Sequence, residues 1–268
     1  MKTILFSGFA ICLIFLSSCG KDAVEIDPVT ELGLQKIGEQ AQGDTRVIVW
    51  GDKSIESGYE KLYVQVLNAA GKSINDGTLE LTPMMEMNMD GGSMVHSAPS
   101  DPTRLGKHDL FESGVVFTMP SNGEHGKWEL QLKHTSLNKE VTNFKILVQV
   151  AANKEAKVKT IRTKNNDRYV VSFYLSQAPK IGVNEANFTI HKQESMMSFP
   201  AFEAATITID PRMPDMDNHS SPNNVNPTYK KEGHYSGKLN YTMSGFWRVN
   251  FKVTIEGEEI TEFFDQTF

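Results

Sequence analysis

Trp247-Arg248-Val249-Asn250-Phe251-Lys252-Val253-Thr254-Ile255 alternates apolar and polar side chains without interruption. In an extended chain successive side chains point to opposite faces, so Trp247, Val249, Phe251 and Val253 share one face. A helix would scatter the same residues around its circumference. A strand with one buried face follows, with Trp247 as a core anchor. Trp128-Glu129-Leu130-Gln131-Leu132 repeats the pattern and makes Trp128 the matching anchor. Outward from these two stretches the chain shows short alternating runs separated by turn residues, and little helical periodicity. Further candidate strands are 46–50, 61–67, 77–81 and 115–119 in the first half, with 158–163, 169–175, 187–191, 205–209 and 238–243 in the second. Many short strands with frequent turn signals predict an all-β chain of β-sandwiches.

The two halves agree in order and spacing. Thr78-Leu79-Glu80-Leu81-Thr82-Pro83 answers Thr206-Ile207-Thr208-Ile209-Asp210-Pro211, and a methionine-bearing loop follows each Pro. Val115-Val116-Phe117-Thr118-Met119 answers Leu239-Asn240-Tyr241-Thr242-Met243, and the Trp strand follows in both halves. Two tandem sandwich domains are expected, 44–150 and 151–268, joined near 151–157.

The amino terminus sets the compartment. Lys2 precedes an apolar run from Ile4 to Leu16, too short to span a bilayer but suited to a secretory signal. Leu16-Ser17-Ser18-Cys19 closes it and resembles the lipobox of bacterial lipoproteins, in which the Cys is acylated and the preceding peptide removed. Residues 1–18 are then a lipoprotein signal peptide, and 19–43 the lipidated Cys19 with a polar tether. Acyl chains hold a protein on a membrane at about 0.8 kcal/mol per buried CH₂. Gly20 after the Cys resembles the outer-membrane sorting pattern, and Lys21-Asp22 resembles a surface-export signal. An outer-membrane lipoprotein, periplasm-facing or at the cell surface, is expected. Cys12 lies in the removed segment, so the mature chain has no disulfide, and any metal site must use His, Met or carboxylate. The net charge of -6 with scattered positive residues argues against a nucleic-acid partner.

Methionine and histidine placement carries the functional signal. Met84, Met85, Met87, Met89, Met94 and His96 crowd the first half's post-Pro segment, and Met213, Met216 and His219 the second's. His108 and His234 precede the Met119 and Met243 strands. A thioether is a soft neutral donor suited to Cu(I) or Ag(I), and imidazole extends the range toward Cu(II), Ni(II) and Zn(II). Pro214-Asp215 between Met213 and Met216 forces a turn. The bland alternative is that methionine fills cores and contact surfaces. Met85, Met87 and Met89 alternate and fit one buried strand face. Met119 and Met243 are expected mainly in the core, and Met196 and Met197 packed in a hairpin loop.

Met213-Pro214-Asp215-Met216 with His219, then Gly233-His234-Tyr235-Ser236-Gly237, then Met243-Ser244-Gly245-Phe246-Trp247, resembles the YtkA-like (FixH-related) domain. That family pairs a Met-Pro-x-Met loop containing His with a Gly-x-Tyr-x-Gly strand and a Met-x-Gly-x-Trp strand. His219 stands three residues after Met216, where family members commonly have Gly-His directly after the Met. The first half keeps Met119 and Trp128 but lacks the Pro-containing loop and the Gly-x-Tyr-x-Gly strand, and looks like a diverged copy. The resemblance implies an immunoglobulin-like sandwich in a cell-envelope protein, with relatives associated with copper handling or cytochrome oxidase assembly.

No Gly-x-Ser-x-Gly elbow, phosphate loop or His-Glu-x-x-His motif is present, and no enzyme activity is expected. The expected function is copper(I) binding for buffering, delivery or efflux. The expected ligands are Met213, Met216, His219 and His234, with a second set at Met87, Met89, Met94 and His96. The expected partners are the membrane, through the lipid anchor, and an envelope metal-transport or oxidase-assembly protein. The competing reading is a non-metal interaction module whose methionine loops contact such a partner.

Overall fold

The computed structural model describes residues 28–89, 91–123 and 125–268. The expected signal peptide, Cys19 and the first part of the tether lie outside the described residues. After a single helical turn, α1 (Pro28–Glu31), the chain runs through β1 (Gln35–Gln42), β2 (Thr45–Gly51), β3 (Gly58–Leu67), β4 (Thr78–Met89), β5 (Gly92–Ser97), β6 (Arg104–Leu105), β7 (Phe111–Phe117), β8 (Gly126–Thr135) and β9 (Val141–Val148). The second half continues with β10 (Val158–Arg162), β11 (Arg168–Leu175), β12 (Gly182–Gln193), β13 (Thr206–Met213), β14 (His219–Ser220), β15 (Val225–Lys231), β16 (His234–Tyr241), β17 (Phe246–Ile255) and β18 (Glu258–Thr267). No described helix is long and apolar enough to cross a membrane.

The chain folds as two tandem immunoglobulin-like β-sandwiches. The first pairs a sheet of order β1-β2-β3-β7-β6 with one of order β5-β4-β8-β9. The second pairs β10-β11-β12-β16-β15 with β14-β13-β17-β18. Each strand of the first domain has its counterpart nine strands later, in the same sheet position. The repeat legible in three segments thus extends through the whole topology, and every strand ladder is antiparallel.

Alternation builds the two cores. Along β17 every second residue from Trp247 to Ile255 is buried, and β8 behaves likewise from Gly126 to His134. Trp128 belongs to one core with Val64, Phe117 and Phe144, and Trp247 to the other with Phe188, Phe251 and Phe264. Both indoles are fully buried. Each donates its Nε1–H to a backbone carbonyl, Trp128 to Met119 at 2.9 Å and Trp247 to Met243 at 3.0 Å, so neither polar handle is stranded.

Two readings are corrected. Gln35–Gln42, expected within the 19–43 tether, is strand β1, an edge strand paired with β2. Its only large apolar residue is Ile37, so no alternation announced it, and its place comes from the β2 ladder and from packing beside β9. Met196 and Met197, expected to pack, are exposed. The backbone carbonyl of Met196 instead accepts the Ser97 N–H at 2.8 Å, a bond between the domains.

The connection between domains is strapped to both. Ala151 exchanges backbone hydrogen bonds of 2.9 Å with Ile55 and Ser57, and Asn153 N–H donates to Ser57 Oγ at 3.1 Å. At the other end the Lys157 ammonium reaches Gln266 Oε1 at 3.0 Å and the Asp265 carbonyl. Burial lowers the pKa of Lys157 in spite of Glu155, 2.8 Å away.

Candidate functional site

The same three side chains line up across the second sheet of each domain. In the first, β5, β4 and β8 set His96 opposite Met85 and Met85 opposite Trp128. In the second, β14 and β13 set His219 opposite Met213, and Arg212 opposite Arg248 leaves Met213 level with Trp247. Directly opposite residues in antiparallel strands have Cβ atoms about 4.5–5.5 Å apart, so each row brings imidazole, thioether and indole into one neighbourhood. The rings confirm the closeness: His96 lies 5.9 Å from Trp128 and His219 6.3 Å from Trp247, centroid to centroid. Met85 and Met213 are equivalent in position, each two residues after the strand Pro and each buried. A glycine two residues before each Trp makes room for them. A Cβ at Gly126 would stand 2.7 Å from the Met85 methyl, and one at Gly245 2.9 Å from that of Met213.

His96 is prepared for an electrophile. Its Nδ1 lies 2.8 Å from the Ser97 carbonyl, which can only accept, so Nδ1 carries the proton and Nε2 presents its lone pair. His219 places Nε2 at 3.2 Å from the Thr242 hydroxyl.

The sequence-predicted ligands are partly gathered. Met213, Met216 and His219 belong to one tight turn, closed by Met216 N–H to the Met213 carbonyl at 3.1 Å and His219 N–H to the Met216 carbonyl at 2.9 Å. Met213 is 4% exposed and Met216 49%, so the turn runs from core to solvent. In the first domain the β4–β5 hairpin sets Met87 opposite Met94, two rows beyond Met85 and His96 and so on the same face. Met89 stands at the exposed tip. Among the described residues, no three His, Cys, Asp or Glu side chains gather as a metal group, so any site here rests on thioethers.

His234 is not part of the second-domain turn. It begins β16, and Tyr241, which packs against Trp247 at 5.2 Å, ends it. Seven residues at about 3.3 Å each put His234 some ~20 Å from the turn. Its Nε2 is 2.8 Å from Asp101 Oδ1 and its Nδ1 3.3 Å from the Tyr174 hydroxyl, so both nitrogens are engaged and it offers no lone pair to an ion. Sequence reasoning placed it by proximity to the Gly-x-Tyr-x-Gly stretch. The β15–β16 turn takes it elsewhere: Glu232 and Gly233 both have positive φ, 51° and 77°, the geometry of a tight two-residue hairpin.

His234 lies instead in a polar joint between the domains. Tyr59 of β3 stacks on Tyr174 of β11 at 4.2 Å and donates its hydroxyl proton to Asp101 Oδ2 at 3.0 Å. Burial alone would raise the Asp101 pKa, but the bonds from His234 and Tyr59 outweigh it and hold the carboxyl below its usual range. Burial pushes the Tyr59 and Tyr174 hydroxyls far up, so both remain protonated donors. Behind this cluster His191 is buried, and desolvation pushes its pKa down to about 4 against the pull of Asp101. Arg104 and Glu232 close the rim with a bidentate ion pair. No local pattern in the chain signals this cluster, because its members lie far apart in sequence.

No family model matches the chain, and no curated protein matches it. Among solved structures it is similar to the Escherichia coli adhesin FdeC, at 12% identity and a TM-score of 0.28 over 82% of this chain and 64% of that one. It is similar to domains 5–6 of the S-layer protein SbsC at 9% identity and a TM-score of 0.26, over 87% and 97% of the two chains. For invasin, a bacterial integrin-binding protein, the values are 12% and 0.24, over 82% and 39%. This chain therefore spans just under two thirds of the adhesin's chain, and none of these likenesses bears on a ligand.

Proposed function

We propose that this chain is a cell-envelope protein, lipid-anchored through Cys19, that binds Cu(I) or a similarly soft ion for buffering, delivery or efflux. The observation that carries the reading is the His–Met–Trp row at the same place in both domains. A filler methionine needs no imidazole beside it, and a core tryptophan needs neither. Thioether and imidazole together suit a soft monovalent ion, and the neighbouring indole gives the site an emission readout. The resemblance to YtkA-like domains supports the same reading, as does the export signal, since thioethers outlast thiols in an oxidising compartment. The ligand set on this reading is Met213, Met216 and His219 in the second domain and the equivalent row of Met85 and His96 in the first, beyond which Met87, Met89 and Met94 continue along the hairpin. His234 is left out.

The test is anaerobic Cu(I) titration of the chain from Gly20 onward against a chromogenic chelator, with tryptophan emission followed in parallel. Competition for the ion with quenching of Trp128 and Trp247, weakened at least tenfold by M213L/H219N in the second domain, supports the reading. Absence of competition refutes it. A second reading draws on the exposed methionines Met89 (55%) and Met216 (49%), at the end of each domain: an adaptable contact surface for an envelope partner. It predicts partner binding that M89A and M216A weaken with no metal present.

A further inference from the structure

At one end the first domain is longer than the second in two segments, and both carry donor side chains. Between Met85 and His96 the first domain has ten residues, whereas Met213 and His219 are separated by five. The additional hairpin length carries Met87, Met89 and Met94. Between Met119 and Gly126 the first domain has six residues, where Met243 and Gly245 are separated by Ser244 alone. That longer loop carries His125. The two insertions lie far apart in sequence, yet they meet: Asn88 N–H donates to the His125 carbonyl at 3.0 Å. Between them opens a cleft of about 610 Å³, lined by Met85, Met87, Met89, Met119, His125 and Gly126 among others.

We infer that this cleft is an additional soft-metal site, present in the first domain and missing from the second, with Met87, Met89, Met119 and His125 as its donors. The inference rests on the soft-metal reading above and assigns its higher-capacity half. Met85, Met87 and Met89 share one face of β4 by alternation and grade from buried through half-buried to exposed. They therefore form a ladder of thioethers from the core row to solvent. Met119 also lines the cleft, and its carbonyl accepts the Trp128 indole N–H. His125 is exposed and adds an imidazole to the thioethers of the lining. Thioethers and imidazole in these numbers select Cu(I) or Ag(I) over hard divalent ions, which require oxygen ligands. Met94 faces Met87 across the hairpin and does not line the cleft.

The probe is Ag(I), which is diamagnetic and stable in air, titrated into the chain from Gly20 onward with 13C-labelled methionine methyls. The expected result is that the Met87, Met89 and Met119 methyls and the His125 ring move together with one equivalent. M87L/M89L/H125N is expected to bind one equivalent fewer while the Met213 methyl still responds. Leu conserves the volume of Met, so the fold is retained; the chemical shifts of β17 check this directly. Unchanged stoichiometry in the triple variant, or stationary Met87 and Met89 methyls at saturation, overturns the additional site and leaves the shared rows standing. If no methionine responds in the parent chain, the soft-metal reading fails and this site with it.

Discussion

Lowering the pH from 7.5 to 4.5 is expected to remove about 2.5 kcal/mol of stability from the second domain through His191 alone. The side chain is 3% exposed, and its Nδ1 is buried without a partner among the described residues. Burial holds its pKa near 4, against 6.5 for the unperturbed group. The unfolded chain therefore binds a proton that the folded one refuses between these two values. Stability from this group is complete above pH 6.5, is lost as the pH falls, and levels out below about 4 at a loss of about 3.4 kcal/mol. Carboxylates such as Asp101 also lose stability in acid, so the comparison must be a double difference. Urea unfolding of the parent chain and of H191L at both pH values isolates the histidine. The parent is expected to lose about 2.5 kcal/mol more than H191L over this interval. Equal losses in the two chains would refute the argument, and so would a His191 ring titrating near 6.5 by NMR.

D101N is expected to loosen the joint between the domains, because Tyr59 and His234 lose an ionised acceptor worth about 1.5–3 kcal/mol in hydrogen bonding. Faster proteolysis within 151–157 is the readout, and unchanged cleavage would count against the joint. The native carboxyl is held below its usual range, so its contribution is present above about pH 4 and fades as acid protonates it. W247F deletes the indole N–H that satisfies the Met243 carbonyl, and should lower second-domain stability by about 1–3 kcal/mol in calorimetry, with no loss at all as the contrary result. G245A sets a Cβ 2.9 Å from the Met213 methyl at a backbone φ of 133°. It is expected to destabilise by more than about 1 kcal/mol, and to cost less when measured in an M213A background than in the parent chain. An equal cost in both backgrounds would assign the whole effect to backbone strain.

The alternation of Trp247–Ile255 and Trp128–Leu132 was sufficient to give strand type, buried face and anchor residues, because side-chain direction in a strand depends only on the parity of position. The repeat was legible because equivalent strands must fill equivalent cores: Pro83 and Pro211 stand two residues before Met85 and Met213, and Gly126 and Gly245 two residues before Trp128 and Trp247. The strand β1 was not legible, since an edge strand beside β9 needs one apolar residue and a ladder rather than a pattern. His234 was assigned to the wrong neighbourhood because sequence proximity to a motif says nothing about which end of a strand a residue occupies.

The sequence alone therefore determined the class of fold, the duplication, the two tryptophan anchors and the presence of soft donors after each strand Pro. Local periodicity and spacing carry that information. Only the tertiary structure decided which donors meet. Cross-strand register joined His96 to Met85 and His219 to Met213, and the meeting of two distant insertions brought His125 to Met87 and Met89. Docking of the domains drew Tyr59, Asp101, Tyr174 and His234 into one polar joint. Such contacts depend on pairing between segments tens of residues apart, and no local pattern in the chain encodes them.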